Sequence, residues 1–215
     1  MIAQIPISLK LKKKIEKDMA FAQDVVVEEL YNNIQDAVLH GGTAIWRCYS
    51  GNRFSEDIDA YIKKNIEKID KFFESLQKKG FKITKKRIKE NSVYSELLFQ
   101  NVPLRFEATF QDKKSTFKVY ETSKSTFINV NTLLPEELII EKVSSYTNRL
   151  KIRDLYDIYF LLNLVEDRNK IELVLKKFLK EFKYPKDEKD LAHIIISGAV
   201  PTSDQLYGSI KRWAR

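Results

Sequence analysis

A single cysteine, Cys48, in 215 residues leaves no partner for an intramolecular disulfide and no set of thiolates for a zinc site. Its default role is that of a small buried hydrophobe in a chain kept in a reducing cytoplasm. Six glycines and five prolines leave little material for flexible linkers or low-complexity tails, and no internal repeat is present. No run of about 18 apolar residues occurs, which argues against a transmembrane helix. The opening MIAQIPISLKLKKKIEKD puts its apolar piece before its basic cluster, the reverse of a signal peptide. The expectation is a soluble cytoplasmic protein with no membrane partner. Acidic residues are outnumbered, 30 against 38 basic ones, and the resulting charge of +8 favours polyanions such as RNA, DNA or nucleotides. With 43% hydrophobic residues the chain can bury a core in one domain or two small ones, which excludes disorder as its main description.

Residues 8–39 are charged and apolar at helical spacing, with Leu9, Ile15, Met19, Phe21, Val26, Leu30, Ile34 and Val38 as the apolar stripe. They read as one or two helices. Gly41-Gly42 breaks the pattern, and a short helix follows with Thr43 near its N-terminus, ended by Gly51-Asn52. Ile58, Ala60 and Ile62 then alternate with Asp57, Asp59 and Tyr61, the pattern of a strand with one apolar and one acidic face. Residues 65–79 return to helical period and close at Gly80. From 81 to 130 five β-type runs are separated by turn residues, which predicts a mixed or mainly antiparallel sheet. After Pro135 everything reads as helix: 135–147, 152–164, 168–182, 187–196 and 203–214. The fold class expected is α+β, a mixed β-sheet core with flanking helices over residues 1–133, followed by a helical domain over 134–215 packed on it.

Asp57 and Asp59, two apart on a strand, send both carboxylates from one face, about 7 Å apart along the chain. Two hard oxygen donors in that arrangement can converge on one or two divalent cations. In LRFEATF the apolar residues Leu104, Phe106, Ala108 and Phe110 leave Arg105, Glu107 and Thr109 on the other face, so Glu107 can complete a carboxylate triad. The competing reading is that surface strands alternate Asp with apolar residues without further purpose. The context is a Gly-Gly-Thr turn at a helix start shortly before the aspartates. Backbone N–H groups at Gly41, Gly42 and Thr43 can cradle a triphosphate, and the Thr43 hydroxyl can add a hydrogen bond. Ser55 can cap or hold a metal-bound water, and Arg53 can clamp a phosphate; an N-cap and a solvated charge are the alternatives.

The segment HGGTAIWRCYSGNRFSEDID (residues 40–59) resembles the signature of the AbiEii/AbiGii toxin nucleotidyltransferases, members of the polymerase-β-like nucleotidyltransferase superfamily. EKVSSYTNRLKIRDLYDIYFLL (141–162) resembles that family's second block, a lysine on one helix followed by an Arg-x-Lys-x-Arg-Asp-x-x-Asp run. The resemblance spans roughly residues 20–165. It implies a Mg²⁺- or Mn²⁺-dependent enzyme that transfers NMP from an NTP to an acceptor, RNA such as the tRNA 3′ end or a protein. It also implies the toxin of a toxin-antitoxin or phage-defence system, with a cognate antitoxin as partner. By the same resemblance Asp57 and Asp59 are metal ligands, and Lys142, Arg149 and Lys151 contact the NTP. Asp154 supports them or catalyses. His40 stands where many members carry lysine, and Glu107 where an aspartate would be the third carboxylate.

Without the family, Lys142 and Arg149 lie seven apart on one helical face, either turned to a phosphate or part of a solvated stripe. Asp154 and Asp157 beside Arg149, Lys151 and Arg153 can equally form an inter-helix salt-bridge cluster. KKGFKITKKRIK (78–89) carries seven basic residues and no acid. It can track a nucleic-acid backbone or serve as a charged edge strand that blocks aggregation. The alternative to catalysis is a basic RNA- or antitoxin-binding module with this fold. A DxD glycosyltransferase lacks the doubly wound nucleotide-binding pattern ahead of its aspartates.

Overall fold

The computed structural model describes residues 5–215; the first four residues of the segment weighed against a signal peptide lie outside them. Two compact units are present, Met1–Ser50 with Phe54–Thr132, and Gly51–Arg53 with Leu133–Arg215. Residues 51–53 thus belong to the second unit although they lie inside the first in sequence.

The first unit begins with a single turn, α1 (Ile7–Lys10), and the long helix α2 (Lys14–Asn33). The helical period read over residues 8–39 ends there. Val38 opens β1 (Val38–His40) after the turn Gln35-Asp36, because Val38 and Leu39 pair in parallel with Asn131 and Thr132. Leu9 and Ile15, placed on the buried stripe, are 72% and 51% exposed. Then follow α3 (Gly41–Cys48), β2 (Asp57–Ile62) and α4 (Ile66–Lys78). Asn65 caps α4 by accepting the Lys68 N–H, and Gly80 at φ +95° lets the chain leave it. β3 (Lys82–Ile88), β4 (Ser92–Phe99), β5 (Val102–Phe110), β6 (Thr116–Glu121) and β7 (Phe127–Thr132) complete the sheet.

The seven strands run in the order β3-β4-β5-β2-β1-β7-β6. β2 pairs in parallel with β5 and β1 with β7, while the other neighbours are antiparallel, so the sheet is mixed as expected. Ile58, Ala60 and Ile62 of β2, Phe106 of β5 and Val93 and Leu97 of β4 are buried with Phe72 and Phe73 of α4. The Phe72 and Phe106 rings lie 5.0 Å apart. Each such large side chain contributes about 1.5–3 kcal/mol through burial. The intervening residues of β2, β4 and β5 form the opposite, polar face. Cys48 is half-buried, and desolvation pushes its thiol up to about 12.

The second unit holds α5 (Pro135–Arg149), α6 (Ile152–Leu161), α7 (Asn169–Lys180), α8 (Leu191–Ile194) and α9 (Ser203–Trp213), with short 3-10 turns at 162–164 and 188–190. Pro135 sits in the first turn of α5, and the Glu137 carboxylate accepts the Leu134 N–H. Leu150 at φ +52° ends that helix, and Asp187 accepts the Ile152 N–H at the start of α6. Among the described residues no helix is long and apolar enough to cross a membrane.

Candidate active site

Strand β2 is half-buried at Asp57, Asp59 and Tyr61 and buried at Ile58, Ala60 and Ile62. The period of two therefore turns both aspartates to the polar face. The parallel register with β5 sets Arg105 beside Asp57 and Glu107 beside Asp59. On the other flank His40 of β1 is opposite Asp59. His40 also stacks on Tyr61, ring centres 4.0 Å apart at 14°. One patch of sheet thus carries Asp57, Asp59, Glu107, Arg105 and His40.

Arg105 dominates the local electrostatics. Its Nε donates to Asp57 Oδ1 at 3.0 Å, its second nitrogen donates to Asp57 Oδ2, and Nε lies 3.2 Å from Glu107 Oε1. The hydrogen bonds to Asp57 hold the guanidinium above its ordinary value. Burial first, and then the charge of Asp59, push the Glu107 carboxyl above the usual range, against the lowering effect of Arg105. Asp57, Asp59 and Glu107 share a face, yet among the described residues no three carboxylate, imidazole or thiol groups converge as a ready-made metal cage. The expected triad is present as neighbours and is not gathered on one point, because Arg105 draws Asp57 to itself.

The donor set nevertheless fits a hard divalent cation: carboxylate oxygens on neighbouring strands, with Glu107 destabilised in its charged form by burial and then by Asp59 and Asp57. The start of α3 is built tightly onto these groups. Gly41 has φ +69°, and a Cβ there would stand 2.3 Å from Asp59 Oδ2. Only glycine lets the backbone lie that close to the carboxylate. Thr43 is 1% exposed, and its hydroxyl donates to the Asp57 carbonyl. It ties α3 to β2, where a free phosphate donor had been expected. Ser55 is also buried, and its carbonyl accepts from Gln23 Nε2 at 2.7 Å, as does that of Glu56 at 3.1 Å. Gln23 so fixes the chain entering β2.

Within the second unit three of the basic residues singled out from the sequence, Arg53, Lys142 and Arg149, form one ion-pair cluster with Asp154 and Asp157. Arg53, 4% exposed, forks Asp157 through Nε and one terminal nitrogen, both at 2.6 Å. Lys142 lies 2.8 Å from Asp157 and 3.6 Å from Asp154, and Arg149 forks Asp154 at 2.7 Å. Burial alone would raise Asp157; the charges of Arg53 and Lys142 and their hydrogen bonds outweigh it and lower its carboxyl. Arg149 thus pairs with Asp154 as the salt-bridge alternative had it, and Arg53 is held inside the cluster, where the sequence offered a phosphate clamp or a solvated charge. Arg149 and Lys151 keep 43% and 46% exposed side chains, Lys151 lying 3.3 Å from Asp187.

The basic run 78–89 divides by face. Lys86 pairs with Asp70 of α4 at 2.6 Å and lies over the Phe73 ring, whereas Lys85 pairs across the strand with Glu96 at 2.8 Å. Arg105 and Gln23 were missed as site residues from sequence. Arg105 had a visible signal, its place on the polar side of LRFEATF; Gln23 had only its polarity among Met19, Ala20, Ala22, Val26 and Val27, all buried.

A family model described as "Nucleotidyl transferase AbiEii toxin, Type IV TA system" matches residues 30–207. No curated protein matches the chain. Among solved structures, JHP933 from Helicobacter pylori superposes with a TM-score of 0.66 at 18% identity, over 95% of this chain and 92% of that one. MenT4, the nucleotidyltransferase toxin Rv2826c from Mycobacterium tuberculosis H37Rv, gives 0.66 at 17% identity over 96% and 90%. These two likenesses concern the fold.

Proposed function

The chain belongs to the AbiEii family of nucleotidyl transferase toxins of type IV toxin-antitoxin systems, and from that premise we propose that it transfers NMP from an NTP to RNA in a Mg²⁺- or Mn²⁺-dependent reaction. The observation that carries this reading is the carboxylate row across β2 and β5 with the Gly41 turn pressed against Asp59. Asp57, Asp59 and Glu107 would hold the metal, which supplies charge neutralisation for the triphosphate oxygens. The backbone N–H groups of Gly41 and Gly42 at the start of α3 would receive the phosphates, helped by the helix dipole. An acceptor hydroxyl oxygen would attack the α-phosphorus, forming the new P–O bond as the α–β phosphoanhydride bond breaks; pyrophosphate would leave with that bond's electron pair, and the hydroxyl proton would pass to solvent.

Thr43, Ser55 and Gln23 act in this reading by fixing the turn and the entry to β2. Lys142, Asp154 and Arg53 are positioning residues that hold the second unit's basic surface, of which Arg149 and Lys151 offer exposed nitrogens to an anion. The acceptor we propose is the tRNA 3′ end, the compartment the cytoplasm, and the partner a cognate antitoxin whose co-expression relieves growth arrest. Arg105 supports one competing reading, a non-catalytic RNA- or antitoxin-binding module, because its guanidinium forks the Asp57 carboxylate that a metal would need. Transfer of label from each of four α-labelled NTPs to total RNA or to protein separates the two: a labelled RNA supports the enzyme and its acceptor, labelled protein moves the acceptor, and no transfer by folded protein supports the module.

A further inference from the structure

The sheet extends the proposed site in one direction. Register carries Asp59 to Glu107, Glu107 to Tyr94 and Tyr94 to Arg87, a line of side chains running from β2 to the edge strand β3. At about 4.8 Å per strand it covers roughly 14 Å. At its outer end a groove of about 260 Å³ is lined by Lys85, Arg87, Lys89, Tyr94 and Glu107, among others. Lys85 and Arg87 alternate on one face of β3 and Lys89 follows just past its end, while Lys86 is turned to α4. Lys85 lies 5.0 Å over the Tyr94 ring, and the Tyr94 hydroxyl donates to Glu96 at 2.6 Å, which fixes that wall. Arg87 and Lys89 are exposed and make no side-chain ion pair or hydrogen bond among the described residues.

We propose that this groove binds the single-stranded end of the nucleic-acid acceptor, with phosphates on Arg87 and Lys89 and a base against the Tyr94 and Lys85 wall. The inference rests on the transferase reading above and adds the path by which the strand reaches it. Two unpaired cations beside an aromatic ring suit a strand carrying both phosphates and bases. Glu107 belongs to the groove and to the carboxylate row alike, so a strand in the groove ends beside the carboxylates.

The test uses full-length protein and fluorescent 12-mers of oligo(rU) and oligo(dT), with anisotropy read at several salt concentrations. R87Q/K89Q should flatten the slope of log K against log salt by about 0.7 per lost phosphate contact, about 1.4 in all, whereas K86Q, an equal kind of charge loss on the opposite face, should leave it unchanged. Circular dichroism checks that the variants fold. Equal affinities for rU and dT at one salt concentration assign the groove to the strand backbone, and tighter binding of rU assigns it to RNA, whose 2′-hydroxyl is the difference. An unchanged slope in R87Q/K89Q, an equal flattening in K86Q, or displacement by poly-glutamate as effective as by oligonucleotide would overturn the groove. Each of these leaves the transfer assay free to uphold the enzyme, and label found on protein alone would remove the acceptor reading by itself.

Discussion

Replacing Gly41 by alanine tests the closest contact in the site. The backbone there has φ +69°, a conformation that costs alanine about 1–2 kcal/mol. The added methyl would also meet Asp59 Oδ2 at 2.3 Å, Cγ at 3.0 Å and Cβ at 3.1 Å. Overpacking of this kind costs about 1–3 kcal/mol, so the expected loss in urea unfolding is about 2–5 kcal/mol. The two contributions separate in a double-mutant cycle. In a D59A background the carboxylate is gone and only the backbone strain and the 3.1 Å contact remain. Gly41→Ala should then cost at least about 1 kcal/mol less than in the wild-type chain. Because the turn would shift against β2 by a fraction of an ångström or more, transfer should fall by roughly 10²-fold in the single variant. A loss under about 0.5 kcal/mol, or the same cost in both backgrounds, would refute the close approach of the turn to Asp59.

Arg105→Gln should let nucleotide-free protein bind Mn²⁺ up to about fivefold more tightly by titration calorimetry, since the pair it breaks is partly exposed; unchanged or weaker binding would refute the competition between guanidinium and metal. Asp157→Ala should cost about 3–5 kcal/mol in urea unfolding at pH 7, because Arg53 and Lys142 would stay buried having lost the carboxylate that forks the one and lies 2.8 Å from the other. The Asp157 carboxyl is lowered in the folded protein, so its stabilisation is present above the unfolded carboxyl value, about 4, and fades as pH falls through the folded one. Asp157→Asn should therefore be less stable than wild type at pH 7 and show a smaller loss on acidification; parallel stability curves from pH 7 to pH 2 would contradict this.

Strand β2 and the two aspartates are legible because a period of two over six residues needs no knowledge of the partner strands. The five later strands carry the same local signature, and the turn Gln100-Asn101 adds its own, with φ +47° and +68° matching a two-residue hairpin. β1 is three residues long, too short to show a period, and exists through pairing with β7 some 90 residues later. Arg53 reads as a surface cation because nothing local reveals Asp157, 104 residues away. The split of the basic run follows from which face of β3 meets α4, and the bulge between Ile83 and Lys85 shifts the register on which a simple alternation would rely. Arg105 is visible on its strand, but its grip on Asp57 depends on β5 lying parallel to β2, a choice made by the whole sheet.

The central claim, that the carboxylates of β2 drive nucleotidyl transfer, is tested most directly by α-labelled NTPs and total RNA with Mg²⁺, comparing wild type with Asp57→Asn/Asp59→Asn. Both positions are half-buried on the polar face, so the double variant should keep its circular dichroism spectrum. The account predicts label on RNA with the wild-type protein and a loss of orders of magnitude with the variant; transfer by the folded double variant at the wild-type rate would contradict it.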